Sequence, residues 1–257
     1  MATPEWNGID QFSETFPVYN CAFLDILGYK LKAQEYFDQR YNLYARINRA
    51  LTTVAVAQAL TTPLLGTSEL TLEIISDSII MLQPARQRGL GALLPFACQF
   101  ASNLGIEGLF LRGGIARGRH CRRKTEQGFD FLASEALQKA YLLESQKAVT
   151  PRVLIDSDLM DDLPSEEKQL IIRENGEFIL DFAHYVINRG GSNFSDVHAE
   201  MTDLWAEVNR QTCDKIKAKL QWILDYYCWT INQNPNWDVA AFRVFNSGKD
   251  RRFARLE

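Results

Sequence analysis

The chain has 257 residues, which at about 100–200 residues per domain allows one large domain or two small ones. Hydrophobic residues at 46% and charged residues at 23% exclude a disordered chain, and 28 basic against 32 acidic residues, a formal charge of −4, argue against a DNA- or RNA-coating protein. No run of about 18 apolar residues is available to cross a membrane, and the opening MATPEWNGIDQFSETF lacks the basic and apolar regions of a secretory signal, so a cytoplasmic location is expected.

Residues 17–29, PVYNCAFLDILGY, are aromatic and apolar between Pro17 and Gly28, which predicts a buried strand ending in a glycine turn. Residues 31–60 carry apolar side chains at three-to-four spacing without Pro or Gly and predict one long helix. Residues 68–83 hold two strand-like runs around Ser76 and Asp77, the pattern of a tight hairpin. A helix is expected over 90–104, closed by Gly105, then a glycine-broken strand over 108–118 and a basic loop over 119–130. An amphipathic helix follows at 131–145 and a short strand at 151–156.

Beyond that point come an acidic stretch, a strand candidate at Glu177–Leu180 and one helix across 197–231. Its aromatics (Trp205, Trp222, Tyr226, Tyr227, Trp229) read as packing surface, because no basic stripe accompanies them as a base-stacking platform would require. Residues from 232 onward, with Arg251, Arg252 and Arg255, read as a solvated tail. The element order predicts an α+β fold, a sheet with helices on one face, whose first six elements match the ferredoxin-like βαββαβ motif. The expected organisation is an N-terminal extension (1–17), one core domain (18–156) and a helical C-terminal elaboration (157–257) packed on the core or on a second copy of the chain.

Two carboxylates stand out. Asp25 interrupts an apolar strand, where an ionised group is costly unless paired or metal-bound, and Asp77 sits in the hairpin turn, where an aspartate is also common without any function. Brought together they would repel without a cation, and oxygen ligands suit Mg2+ or Mn2+ better than zinc. Gly28 opens a helix directly after Asp25, so the amides of Leu27, Gly28 and Tyr29 are placed to cradle phosphate oxygens, with Lys30 adding charge. The densest positive patch is Arg112, Arg117, Arg119, Arg122, Arg123 and Lys124, read either as a polyphosphate-neutralising cluster or as a solvated loop. Five dispersed cysteines without a CxxC pair and three histidines without an HxxxH pattern give no support to a zinc site or a disulfide framework.

Four motifs in order carry a resemblance. Phe23-Leu-Asp25-Ile-Leu-Gly28 resembles the F-x-D-I-x-G metal motif of class III nucleotidyl cyclases, and Ile75-Ser76-Asp77 resembles their I-G-D motif with Ser in place of Gly. Arg112-Gly-Gly-Ile-Ala-Arg-Gly118 is similar to their R-x-G-I-x-x-G strand, and the stretch from Leu137 to Glu144 to their V-N-x-A-x-R-L-E helix. The resemblance covers about residues 18–156 and makes this stretch a nucleotidyl cyclase catalytic core. It implies two divalent ions, Mn2+ or Mg2+, held by Asp25, Asp77 and the Ile26 carbonyl. It places Gln138 and Leu142 where the family has a transition-state Asn and Arg, so Arg117 and Arg119 become the candidate substitutes for the missing Arg. Arg112 also enters the substrate-binding set, and Glu73 falls at the base-contacting position, where an ionised carboxylate accepts hydrogen bonds from guanine or uracil N–H and from adenine or cytosine amines alike.

The combination SDSII, LRGGIARG and ALQKAYLLE, with a later Lys219-x-x-Trp222-x-x-x-Tyr226 helix, resembles the bacterial pyrimidine cyclases of Pycsar antiphage defence. That resemblance implies conversion of UTP, or alternatively CTP, to a 3′,5′-cyclic nucleotide and pyrophosphate, in a homodimer with active sites at its interface. The product would act on a separate effector protein. The other reading, motivated by Leu142, is a degenerate cyclase-fold module that binds nucleotide without turnover.

Overall fold

The computed structural model describes residues 15–65, 70–85, 88–184, 194–233, 236–249 and 252–256. Residues 1–14 of the expected N-terminal extension and Arg251 lie outside them.

Strand β1 (Val18–Ile26) is the hub. It pairs antiparallel with β3 (Ser78–Pro84) on one side and with β4 (Leu111–Lys124) on the other, setting Asp25 opposite both Ser78 and Arg112. Strand β2 (Thr71–Ile75) forms the expected hairpin with β3 through Ser76 and Asp77. The order β2-β3-β1-β4 is that of the ferredoxin-like motif, so the α+β reading and its βαββαβ core hold. Strand β6 (Val153–Ile155) joins β4 in parallel, and β8 (Glu177–Leu180), β7 (Ile171–Glu174) and β9 (Phe253–Arg255) extend the sheet in that order. The C-terminal segment therefore contributes strands as well as helices.

Three sequence expectations are corrected. The first helix is two, α1 (Tyr29–Phe37) and α2 (Leu43–Leu65). Between them Gln39 takes a left-handed φ of 59°, and the Asn42 carboxamide caps α2 by accepting from the Ala45 amide at 3.0 Å. The basic loop is a ribbon: β4 runs on to Lys124 and pairs with β5 (Asp130–Ser134), because its arginines find carboxylate partners along the way. The C-terminal helix is also two, α6 (Phe194–Arg210) and α7 (Asp214–Asn232), following the single-turn α5 (Ser165–Lys168).

The helices occupy both faces of the sheet, a correction to the expected single face, because β1, β3 and β4 carry apolar side chains on both sides. Helix α3 (Leu93–Ile106) joins α2 over the face lined by Ala22, Leu24, Ile26, Ile79 and Met81. Helix α4 (Glu135–Lys147) covers the opposite face, packing Ala136 and Ala140 onto Cys21, Ile80, Leu82 and Ala116. Two glycines permit this. A Cβ on Gly114 would run into the Ala140 carbonyl oxygen, and one on Gly118 would lie 2.7 Å from the Ala136 amide nitrogen. No described helix is long and apolar enough to cross a membrane.

The supposed tail is a structural strap. Arg255 on β9 pairs with the fully buried Asp181, which also accepts from the Tyr226 hydroxyl, and the Arg255 guanidinium lies over Trp229. Arg252 bridges Glu174 at 3.0 Å and Asp225 at 3.5 Å, both buried. The aromatics of α7 are core, as their sequence setting suggests: Trp222 donates its indole N–H to Glu174, and Tyr226 stacks on it. Arg255→Met should lower unfolding stability by about 3 kcal/mol, because Asp181 is left buried without its cation. That is the low end for such pairs, since Arg255 is one-third exposed. Urea denaturation of the variant against wild type measures the loss.

Candidate active site

Asp25 and Asp77 meet because two registers converge. The Ile26 amide donates to the Asp77 carbonyl at 3.0 Å, closing the hairpin turn against the end of β1. Their carboxyl groups come within hydrogen-bonding reach of each other. Ser76, in the turn before Asp77, has a φ of 59°, a conformation that favours glycine and explains why glycine suits this place.

Arg112 lies across from Asp25 on β4 and donates its Nε–H to Asp25 Oδ2 at 2.9 Å. A third carboxylate joins them. Glu144 on α4 brings Oε1 to 2.8 Å from the same Nε, yet that oxygen is buried and accepts no hydrogen bond, because it lies off the N–H direction. Burial pushes the Asp25 carboxyl above its usual range; Arg112 opposes that rise and Asp77 adds to it. Glu144 is raised by burial as well, against the pull of Arg112 and with smaller upward contributions from Asp25 and Asp77. One guanidinium thus faces two carboxylates, with Asp77 beside the first.

Glu144 has no assigned role in the sequence reading. Its signal is the spacing Ala136-Ala140-Glu144-Ala148, a carboxylate on the otherwise small, buried stripe of α4.

Gly28, with φ 72°, makes the left-handed turn into α1, and nothing crowds the space a Cβ would take, so its backbone angle is what selects glycine. The Gly28 and Tyr29 amides meet no acceptor among the described residues, as expected of a helix N-terminus. The Leu27 amide donates to the Phe110 carbonyl at 2.9 Å and is unavailable to a ligand, a correction to the three-amide cradle. Lys30 is exposed beside it.

Other expected residues are dispersed. Arg117 lies on the opposite face of β4 from Arg112, since five positions separate them on an alternating strand. It donates to Asn20 Oδ1, the Gly89 carbonyl and Asp162, at 2.8, 2.6 and 2.8 Å, and the structure does not bring it to Asp25. Arg119 pairs with Glu135, and Arg122 with Glu73, so the expected base contact is engaged by the β4–β5 ribbon. Arg119 and Gln138 instead line an open groove of about 750 Å3 with Phe23, Phe131 and Tyr141.

Among the described residues no cluster of three or more His, Cys, Asp or Glu side chains is arranged to hold a metal. A two-carboxylate set fits a hard cation that takes its remaining ligands from phosphate and water. The Ile26 carbonyl accepts no turn or side-chain hydrogen bond among the described residues, and strand geometry aims it to the same side as its amide, toward Asp77.

No protein-family model matches the chain, and a search of curated proteins finds no match. Solved structures similar to it include a Trypanosoma brucei adenylate cyclase in its monomeric state, with 15% identity over 71% of this chain and 94% of that one at a TM-score of 0.45. The guanylyl cyclase domain of the Blastocladiella emersonii RhoGC fusion protein matches at 14% identity over 64% and 95%, TM-score 0.39. The Catenaria anguillulae RhGC guanylate cyclase domain, solved in complex with GTP, matches at 13% over 64% and 94%, TM-score 0.38.

Arg112→Met should destabilise the fold by about 3 kcal/mol at pH 8 and by less at pH 5. Asp25 and Glu144 already have raised folded pKa values, so their protonated forms favour folding at low pH and that contribution fades as pH rises through them. Removing their cation enlarges the shift. Urea titrations at the two pH values test the difference.

Proposed function

We propose that the protein is a metal-dependent nucleotidyl cyclase that converts UTP, with CTP as the alternative, to a 3′,5′-cyclic nucleotide and pyrophosphate. The observation that carries this is the Asp25–Asp77 carboxylate pair at the mouth of a glycine turn with open helix amides. The four motifs resembling class III cyclases support it.

Asp25, Asp77 and the Ile26 carbonyl would hold Mn2+ or Mg2+. Such ions lower the pKa of the ribose 3′-hydroxyl and neutralise charge on the attacking and leaving oxygens. The 3′-oxygen attacks the α-phosphorus as its proton passes to solvent, the bond from the α-phosphorus to the oxygen bridging to the β-phosphorus breaks, and pyrophosphate leaves with that oxygen. Gly28 and Tyr29 amides and Lys30 would hold phosphate oxygens. Arg112 holds Asp25 in place before an ion is bound. In the homodimer implied by the pyrimidine-cyclase resemblance, Arg119 and Gln138 act from the groove across the interface. The same resemblance supports a role in antiphage defence, the product activating a separate effector.

A second reading, a nucleotide-binding module without turnover, is favoured by Leu142 in place of the family Arg and by the distance of Arg117 from the carboxylates. One assay separates the two. The purified chain is incubated with Mn2+ and each of the four common ribonucleoside triphosphates. The expected result is cyclic UMP and pyrophosphate from UTP, reduced to background by Asp25→Ala or Asp77→Ala with dimer elution unchanged. Nucleotide binding without turnover of any triphosphate overturns the enzyme reading, and turnover of GTP or ATP alone overturns the pyrimidine assignment.

A further inference from the structure

Arg112 stands between two carboxylates and serves one. Its Nε–H points at Asp25 Oδ2, while Glu144 Oε1, nearer by 0.1 Å at 2.8 against 2.9 Å, receives nothing. The Glu144 side chain is 4% exposed, so water does not compensate it as it would a surface carboxylate. A buried acceptor left unserved beside a donor calls for an explanation, and a second arrangement that uses it supplies one. A small rotation of the guanidinium transfers the N–H from Asp25 to Glu144 without moving either backbone.

The proposed metal role of Asp25 gives that second arrangement a cause. A divalent ion held by Asp25 would compete with Arg112 for the carboxylate and would repel the guanidinium. We propose that Glu144 is a positioning residue, which takes over the Arg112 hydrogen bond when Asp25 is taken by the cation, so that the ion pair it already forms with Arg112 holds the guanidinium and leaves no buried charge unpaired. Without Glu144 the incoming cation would have to displace Arg112 toward a site with no counter-charge, and Asp25 would remain held in its metal-free pairing. The inference rests on the metal reading above and adds to it a residue that does not touch the metal.

The test is a Mn2+ titration of the full chain without nucleotide, with free Mn2+ counted by its electron paramagnetic resonance signal. Glu144→Gln keeps the shape and removes the charge. It should weaken Mn2+ binding by about tenfold or more, the usual scale for partners of metal ligands. In an Arg112→Met background the same substitution should have little effect, because no cation remains to be received. Equal Mn2+ affinity in Glu144→Gln and wild type overturns the proposal. So does a loss of the same size in the Arg112→Met background, which would make Glu144 a direct ligand or a plain source of negative field. If Glu144→Gln does not fold, Glu144→Asp takes its place, with a smaller loss expected and the same dependence on Arg112. Asp25→Ala separates the two levels: if it binds Mn2+ as wild type does, the metal reading itself fails, whereas its loss beside an unaltered Glu144→Gln fails only the exchange.

Discussion

The candidate site depends on how closely α4 lies against β4. Helix and strand touch backbone to backbone at Gly114 and Gly118, and no residue with a side chain fits either place without moving the helix. That approach lowers Glu144 to the level of Arg112, and Arg112 in turn reaches Asp25. A helix held at the usual spacing by side chains would leave Glu144 short of the guanidinium. The ion cluster is therefore a consequence of two missing methyl groups, and the glycine-rich strand that reads as a motif is first a packing surface.

The arginine-rich stretch after β4 reads differently once its partners are visible. Arg112, Arg117, Arg119 and Arg122 each have a carboxylate within the same chain. Most of that charge fixes the β4–β5 ribbon and the strand ends, where exposed pairs contribute little to stability but do set geometry. The positive character left for a ligand comes mainly from backbone amides at the start of α1 and from Lys30. In the proposed function an acidic protein would receive phosphate through helix polarity more than through net charge.

Much of this was legible in the residues. The apolar runs with alternating or helical spacing, the two-residue turn at Ser76–Asp77 and the glycine at position 28 identify β1, the hairpin and the start of α1, because local backbone preference and burial agree there. The breaks were harder. Gln39 and the 211–213 link carry no glycine or proline, so nothing in the spacing marks them. The strand character of 119–124 depends on carboxylates 49 and 16 positions away, at Glu73 and Glu135, which no local pattern encodes. The sequence sets Arg112 and Arg117 in one positive patch, and strand parity separates them to opposite faces. Glu144 is the instructive omission: its place on a small-residue stripe was visible, but its meaning required knowing what lies beneath α4.

The strap formed by β9 carries a consequence for the order of folding. Asp181 and Arg255 are 74 positions apart, and Glu174 and Arg252 more widely still, yet buried Asp181 needs that distant cation before it can be enclosed at low cost, whereas Glu174 also has Arg152. Until residues 252–255 are in place, Asp181 lacks Arg255 and β7 lacks its partner strand β9. The C-terminal half of the sheet therefore closes as one long-range step, slow by the logic of contact separation. The local β2–β3 hairpin and α3 can assemble ahead of it, and the nascent chain exposes the edge of β7 in the interval.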